Sequence, residues 1–126
     1  MNNRDLSAVA AVARSWEEAC RSGVTERIVA HLSDDATVWF NFEQVDHDRD
    51  GYRAILDASR KTFLNAGYDD FRVLTHPGGF VEQATLRGDT PSGRIETPFL
   101  LVATVTGDRI SRIEEYFDST IMREQA

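Results

Sequence analysis

Three turn signals constrain this chain more than any other feature. Pro77-Gly78-Gly79, Asp89-Thr90-Pro91-Ser92-Gly93 and Gly107-Asp108 cut its second half into segments rich in β-branched and aromatic residues. The spacing predicts strands over about 68–76, 79–88, 94–106 and 109–118. Connections this short join antiparallel neighbours. The first half reads differently. Leu6, Val9, Ala13, Trp16 and Cys20 recur at helical spacing over 5–22, with Asp5 or Ser7 as a cap and Gly23 as the stop. A short helix over about 25–32, capped by Thr25, presents Ile28, Val29 and Leu32. A strand over Ala36–Phe42 and a polar loop over Glu43–Asp50 follow. A third helix over about 51–65, capped by Asp50, gathers Tyr52, Ile55, Leu56, Ser59 and Phe63 on one face. Helices first and an antiparallel sheet second make an α+β domain, with the three N-terminal helices laid on one face of a curved, mostly antiparallel sheet.

The length of 126 residues fits a single domain over 1–126. The segment Ile95–Val105 is apolar on both faces. Phe99, Leu101, Ala103 and Val105 lie on one side, and Pro98, Leu100 and Val102 on the other. A half-solvated antiparallel strand alternates instead. Two apolar faces need two covers, and a second subunit supplies the one the helices do not, so a homodimer through the sheet is expected.

The formal charge of −7, with no basic cluster, argues against a nucleic-acid partner. No apolar run approaches the roughly 20 residues a membrane span needs. The N-terminus lacks a signal-peptide core, and a lone cysteine, Cys20, makes no internal disulfide, so a reducing cytoplasm is the expected location. His31, His47 and His76 share no ligand spacing, so no metal is expected.

The last strand carries the chemistry. Its period of two puts Ser111, Ile113, Glu115 and Phe117 on one face. Glu115 therefore stands between apolar neighbours. If this face lines a cavity, the carboxylate is partly desolvated, its pKa rises, and it becomes a general acid or base; if the face turns to water, Glu115 is an ordinary surface charge.

The stretches Asp35–Asn41, Asp50–Ile55, Leu86–Arg94 and Gly107–Asp118, in this element order, resemble the nuclear transport factor 2-like superfamily, within it the SnoaL-like and limonene epoxide hydrolase-like branch. The resemblance covers nearly the whole chain. It implies a cone-shaped fold whose helices close over the concave sheet face and leave a deep apolar pocket. In limonene epoxide hydrolases a last-strand Asp two residues before a Phe belongs to the water-activating site; Glu115 and Phe117 stand there. Their first-strand Tyr-Xaa-Asn is matched by Trp39-Phe40-Asn41. Their Arg-Xaa-Asp pair falls on Gln83 and Thr85, or on Glu82 and Ala84 with the register moved by one. The Arg–Asp pair is missing either way, which argues against that form of epoxide hydrolysis. Ketosteroid isomerase-like members place a base Asp where this chain has Asn41, and an amide cannot take a proton from carbon.

The resemblance implies Glu115 as acid–base group and Asn41 as its polar helper. It implies a ligand-binding wall of Trp39, Gln83, Thr85, Trp16, Leu100, Phe117 and Ile113, with His47 at the rim. The expected function is a cofactor-free SnoaL-like cyclase, isomerase or hydrolase acting on a small apolar oxygenated metabolite. The alternative is a non-catalytic binder or sensor of such a molecule. A second inward carboxylate, from Glu82 or Glu96, strengthens the enzyme reading, because paired acids split their pKa values.

Overall fold

The computed structural model describes residues 3–118. Helix α1 (Asn3–Ser22) buries Val9, Val12, Ala13, Trp16, Ala19 and Cys20, a stripe at spacings of three and four. It is already helical at Asn3, so it starts ahead of Asp5 and Ser7, the positions expected to begin it. Gly23 ends it at φ 67°, a left-handed conformation that suits a residue without Cβ. Helix α2 (Thr25–Val29) is shorter than its sequence pattern suggests, and its N-cap position is Val24 rather than Thr25. The chain leaves the helix because the sheet recruits it: the Ile110 N–H donates to the His31 carbonyl, and Leu32 pairs with Ile110. Strand β1 (Leu32–Phe40) therefore starts four residues before Ala36.

A two-residue strand, β2 (Asp46–His47), forms inside the polar loop and pairs antiparallel with β1. Arg112 fastens it by donating to both Thr37 Oγ1 (2.9 Å) and Asp46 Oδ1 (3.1 Å). Helix α3 (Arg49–Thr62) is capped by Asp48 and not Asp50; the Asp48 carboxylate accepts from the Gly51 N–H at 2.7 Å. Strands β3 (Leu64–His76), β4 (Gly79–Thr90), β5 (Gly93–Thr106) and β6 (Arg109–Phe117) follow. The sheet is curved and open, in the order β2-β1-β6-β5-β4-β3. Among the described residues only β1 against β6 is parallel.

Register decides what faces the helices. Residues directly opposite one another share a face. One inward row runs Val73, Glu82, Leu101, Glu115, Phe40, and the next runs Phe80, Ala103, Ile113, Val38. These residues and the α1 stripe form the core. The outer face carries the rows Arg72, Gln83, Leu100, Tyr116 and Leu74, Val81, Val102, Glu114, Trp39. Its apolar content matches the two-sided pattern of β5: Leu100 and Val102 are half-buried, while Tyr116 and Leu74 are 38% and 74% exposed. Among the described residues no helix is long and apolar enough to cross a membrane.

Candidate functional site

The helices do not fill the concave side completely. A cavity of about 320 Å³ lies between the C-terminal turn of α1, the inner face of α3 and one end of the sheet. Helix α3 supplies Tyr52, Ile55, Leu56 and Ser59, on the face its sequence periodicity marks, and Phe63 follows from the extended C-cap position. The sheet supplies Phe40, Tyr68, Leu86, Phe99 and Phe117, and α1 supplies Cys20. Glu115 is the one carboxylate in this wall among the described residues.

Glu115 is 8% exposed. Its backbone is locked mid-sheet between Leu101 and Phe40, and its carbonyl accepts from the Asn41 N–H at 3.0 Å. Burial lifts its pKa to about 7, against the pull of Tyr52, whose hydroxyl donates to Oε1 at 3.3 Å. Burial and then the Glu115 charge push the Tyr52 and Tyr68 hydroxyls well above the usual phenol range. Both stay protonated donors at any working pH. The Cys20 thiol is pushed up as well, first by burial and then by Glu82, Glu115 and Glu17, so it is neutral and poorly nucleophilic.

Glu82 is a second inward acid. It sits two strands from Glu115 in the same row, about 9.6 Å away by strand spacing, with Leu101 between them. It is 0% exposed and lies behind the cavity wall. Burial, then Glu17 and Glu115, raise its pKa to about 8; the Trp16 indole and Arg21 oppose that rise. Glu96 is exposed and accepts from Arg87 at 3.3 Å.

The structure divides the ten residues singled out from the sequence. Glu115 and Phe117 line the cavity. Trp16 and Ile113 are fully buried core side chains on the concave side, outside the cavity wall. Trp39, Gln83, Thr85 and Leu100 do not join Glu115, because they lie on the other parity of β1, β4 and β5 and face outward. The Trp39 ring packs on Tyr116 at 5.4 Å. Gln83, Thr85 and Leu100 edge an open depression of about 410 Å³ on that outer face, where no buried acid points. Of the two registers open for β4, the one with Glu82 and Ala84 inward is realised.

The Asn41 side chain bonds the backbone of β6. Its amide donates to the Phe117 carbonyl and accepts from the Phe117 N–H, each at 3.2 Å, so it extends the β1–β6 ladder past the end of β1. His47 does not rim the cavity; it bonds Glu43 at 3.0 Å and packs on Phe40. Sequence reasoning passed over Tyr52 and Phe40 as site residues. Tyr52 was legible as the only polar aromatic on the α3 face. Among the described residues no group of three or more His, Cys, Asp or Glu side chains has the makings of a metal site.

No protein-family model matches this sequence, and no curated protein matches it. Solved structures do. The BvnE pinacolase of Penicillium brevicompactum superposes with a TM-score of 0.84 at 12% identity, covering 99% of this chain and 94% of that one. A proposed polyketide cyclase of Xanthomonas campestris pv. campestris gives 0.83 at 15% identity, covering 96% and 98%. A nuclear transport factor 2-like protein of unknown function from Burkholderia pseudomallei K96243 gives 0.80 at 16% identity, covering 94% and 96%. The fold is the nuclear transport factor 2-like one that the end motif and element order resemble. At these identities the likeness establishes fold alone.

Proposed function

We propose that this protein transforms a small, apolar, oxygenated molecule in its cavity by general acid–base chemistry, with Glu115 as the proton-transferring group and no cofactor. The observation that carries the reading is one buried carboxyl, with a pKa of about 7, in the wall of a mostly aromatic and aliphatic cavity whose lining also includes Arg21, Ser22, Ser59 and Arg60. A group poised there both takes and returns protons near neutrality. Tyr52 holds the charged form of Glu115 in place and remains a donor to it throughout the cycle. The cavity volume suits a small terpenoid- or polyketide-sized skeleton. A cyclisation or isomerisation of the SnoaL type asks for that much, since the walls guide the carbon skeleton and one acid moves the proton. The pinacolase and the proposed polyketide cyclase of the same fold are consistent with this class.

The test is proton exchange. Apolar enolisable ketones that bind the cavity are incubated in D2O, and loss of the α-proton signal is followed by NMR. The native protein accelerates exchange, and Glu115→Gln lowers the rate by about 10²- to 10⁴-fold while still binding the ketone. Equal rates for the two proteins refute the role of Glu115. A non-catalytic binder is the second reading. It is favoured by the commitment of the Asn41 amide to the Phe117 backbone, which leaves Glu115 with Tyr52 as its polar neighbour. Binding without exchange, unchanged by Glu115→Gln, supports it.

The apolar residues of the outer face support a homodimer through the sheet, with Leu100, Val102 and Tyr116 at its centre. Sedimentation is expected to give twice the chain mass, and Val102→Glu to give the monomer. A native protein that sediments as a monomer at micromolar concentration removes this part of the proposal.

A further inference from the structure

The polar groups that line the cavity differ in how much of their bonding capacity is used. Arg21 is engaged by Glu17 at 3.2 Å and by the Phe71 ring at 4.3 Å. The Ser22 hydroxyl donates to the Ala19 carbonyl at 2.6 Å and accepts from the Val24 N–H at 3.1 Å. Tyr52 serves Glu115. Among the described residues, the Ser59 hydroxyl, the Tyr68 hydroxyl and the terminal nitrogens of Arg60 have no protein partner. Arg60 is nonetheless held in place. Its Nε donates to Thr25 Oγ1 at 3.0 Å, and that hydroxyl donates to Asp57 Oδ1 at 2.8 Å. Its Nη1 lies over Gly23, 3.3 Å from where a Cβ would stand. Arg60 is exposed and lines the cavity, so its guanidinium stands where the cavity meets solvent.

The unused groups gather at one end. Arg60 lies eight residues beyond Tyr52 on α3, roughly 12 Å of helix. In the sheet, Tyr68 pairs with Leu86 and Leu86 with Thr97. Thr97 stands four residues along β5 from Leu101, the partner of Glu115, which is roughly 13 Å of strand. The helix and the sheet thus give the same separation. An acid sits at one end of the cavity and unused donors at the other, with Leu56, Phe99 and Phe117 in the wall.

We infer that the α3–β3 end of the cavity is a carboxylate site, with Arg60 as its cation and Ser59 as a neighbouring donor, and that the molecule taken up is an amphipathic acid. Its carboxylate lies at Arg60, its apolar body along the aromatic wall, and its reacting oxygenated carbon at Glu115. Arginine donates and never accepts, so the free capacity at this end calls for an acceptor-rich group. A guanidinium fixed through Nε presents Nη1 and Nη2 as a fork that matches two carboxylate oxygens. Charge selects among oxyanions. Asp57 stands behind Arg60 through Thr25, Glu17 offsets Arg21, and the chain carries a formal charge of −7. One cation in such surroundings suits one negative charge, whereas a phosphate dianion meets repulsion that nothing offsets. The separation fits the chemistry as well, since an anion next to Glu115 would hinder its ionisation and one at the far end does not. As a statement about substrate, the inference rests on the proposed reaction at Glu115. As a statement about binding, it does not.

The probes are para-acetylphenylbutyrate and its methyl ester, which share a ketone and an apolar body and differ in charge. Calorimetry at neutral pH and low salt is expected to show the native protein binding the acid about tenfold tighter than the ester. Arg60→Gln erases that preference and leaves the ester affinity unchanged, which also shows that the variant is folded. Lys61→Gln removes an adjacent exposed cation that is outside the cavity wall, and it keeps the preference. In the bound acid, cross-relaxation places the methylene beside the carboxylate against Ser59 and the acetyl methyl against Phe40. The inference is overturned if neither probe binds, or if the acid binds no tighter than the ester. It is also overturned if Lys61→Gln lowers the preference as far as Arg60→Gln does, or if the carboxylate end lies against Phe40. The corresponding para-acetylphenylpropyl phosphate is expected to bind more weakly than the acid, and tighter binding overturns the assignment to carboxylate. Exchange of the acetyl protons is followed separately. Acid bound in an Arg60-dependent way without exchange supports the carboxylate site while refuting the reaction at Glu115, so the two failures are distinct.

Discussion

Replacing Glu82 with Gln is expected to stabilise the protein at high pH and to leave it almost unchanged at low pH. The fold raises the Glu82 pKa from 4.5 to about 8, so the native state holds this proton more tightly than the unfolded chain does. Below pH 4.5 both states carry the proton and the residue imposes no pH-dependent cost. Between pH 4.5 and 8 the unfolded chain releases it while the native state does not, and stability falls as pH rises. Above pH 8 the loss is complete. The rise from 4.5 to about 8 corresponds to a cost of about 4–5 kcal/mol once the native group ionises. That is an upper figure, because water reaching the ionised group relieves part of it. Urea denaturation of the native protein and Glu82→Gln at unit intervals from pH 5 to 9 measures the difference. The two curves should nearly coincide at pH 5 and separate steadily, the variant being more stable by several kcal/mol at pH 9. In thermal melts the same gap is on the order of 10–20 °C. Parallel profiles across this range would falsify the burial argument, since Glu82 would then ionise as an ordinary solvated glutamate.

Two further substitutions separate positioning from chemistry. Tyr52→Phe removes the hydroxyl that favours the Glu115 carboxylate, so the Glu115 titration should move upward from about 7. Carbon-13 NMR of the labelled carboxyl follows this, and an unchanged midpoint shows that the 3.3 Å contact contributes nothing. Asn41→Ala cuts both bonds to the Phe117 backbone and should cost about 1–3 kcal/mol in chemical denaturation. Ketone affinity should stay within a few-fold of the native value; a selective loss of affinity at unchanged stability returns Asn41 to the binding wall.

Much of the fold is written in local chemistry. Gly-, Pro- and Asp-rich turns fix the hairpins β3–β4, β4–β5 and β5–β6, and helical spacing marks the buried stripes of α1 and α3. The boundaries that local reasoning misplaces are those where distant pairing intervenes. The helix expected over about 25–32 would take in Leu32, yet Leu32 pairs with Ile110 and becomes strand. The third helix is expected to run to about 65, yet Leu64 and Gly67 already pair with Asp89 and Arg87 of β4. Asn65 adopts φ 52° there and donates to Asp89 at 2.9 Å.

For the site, sequence alone determined that Glu115 shares a face with Ile113 and Phe117, because a strand alternates whatever it pairs with. It equally determined that Tyr52, Ile55, Leu56 and Ser59 lie on one side of a helix. It did not determine which parity of β1 and β4 turns inward. Phe80, Glu82 and Ala84 alternate as well as Val81, Gln83 and Thr85 do, and Val38 and Phe40 as well as Trp39. A slip of one residue exchanges the two sets completely. Only the assembled sheet makes that choice, by seating Glu82 opposite Leu101 and Phe40 opposite Glu115. Tertiary structure thus sent Trp39, Gln83, Thr85 and Leu100 to the outer face and brought in a second acid, because facing is a property of strand pairs and not of any strand taken singly.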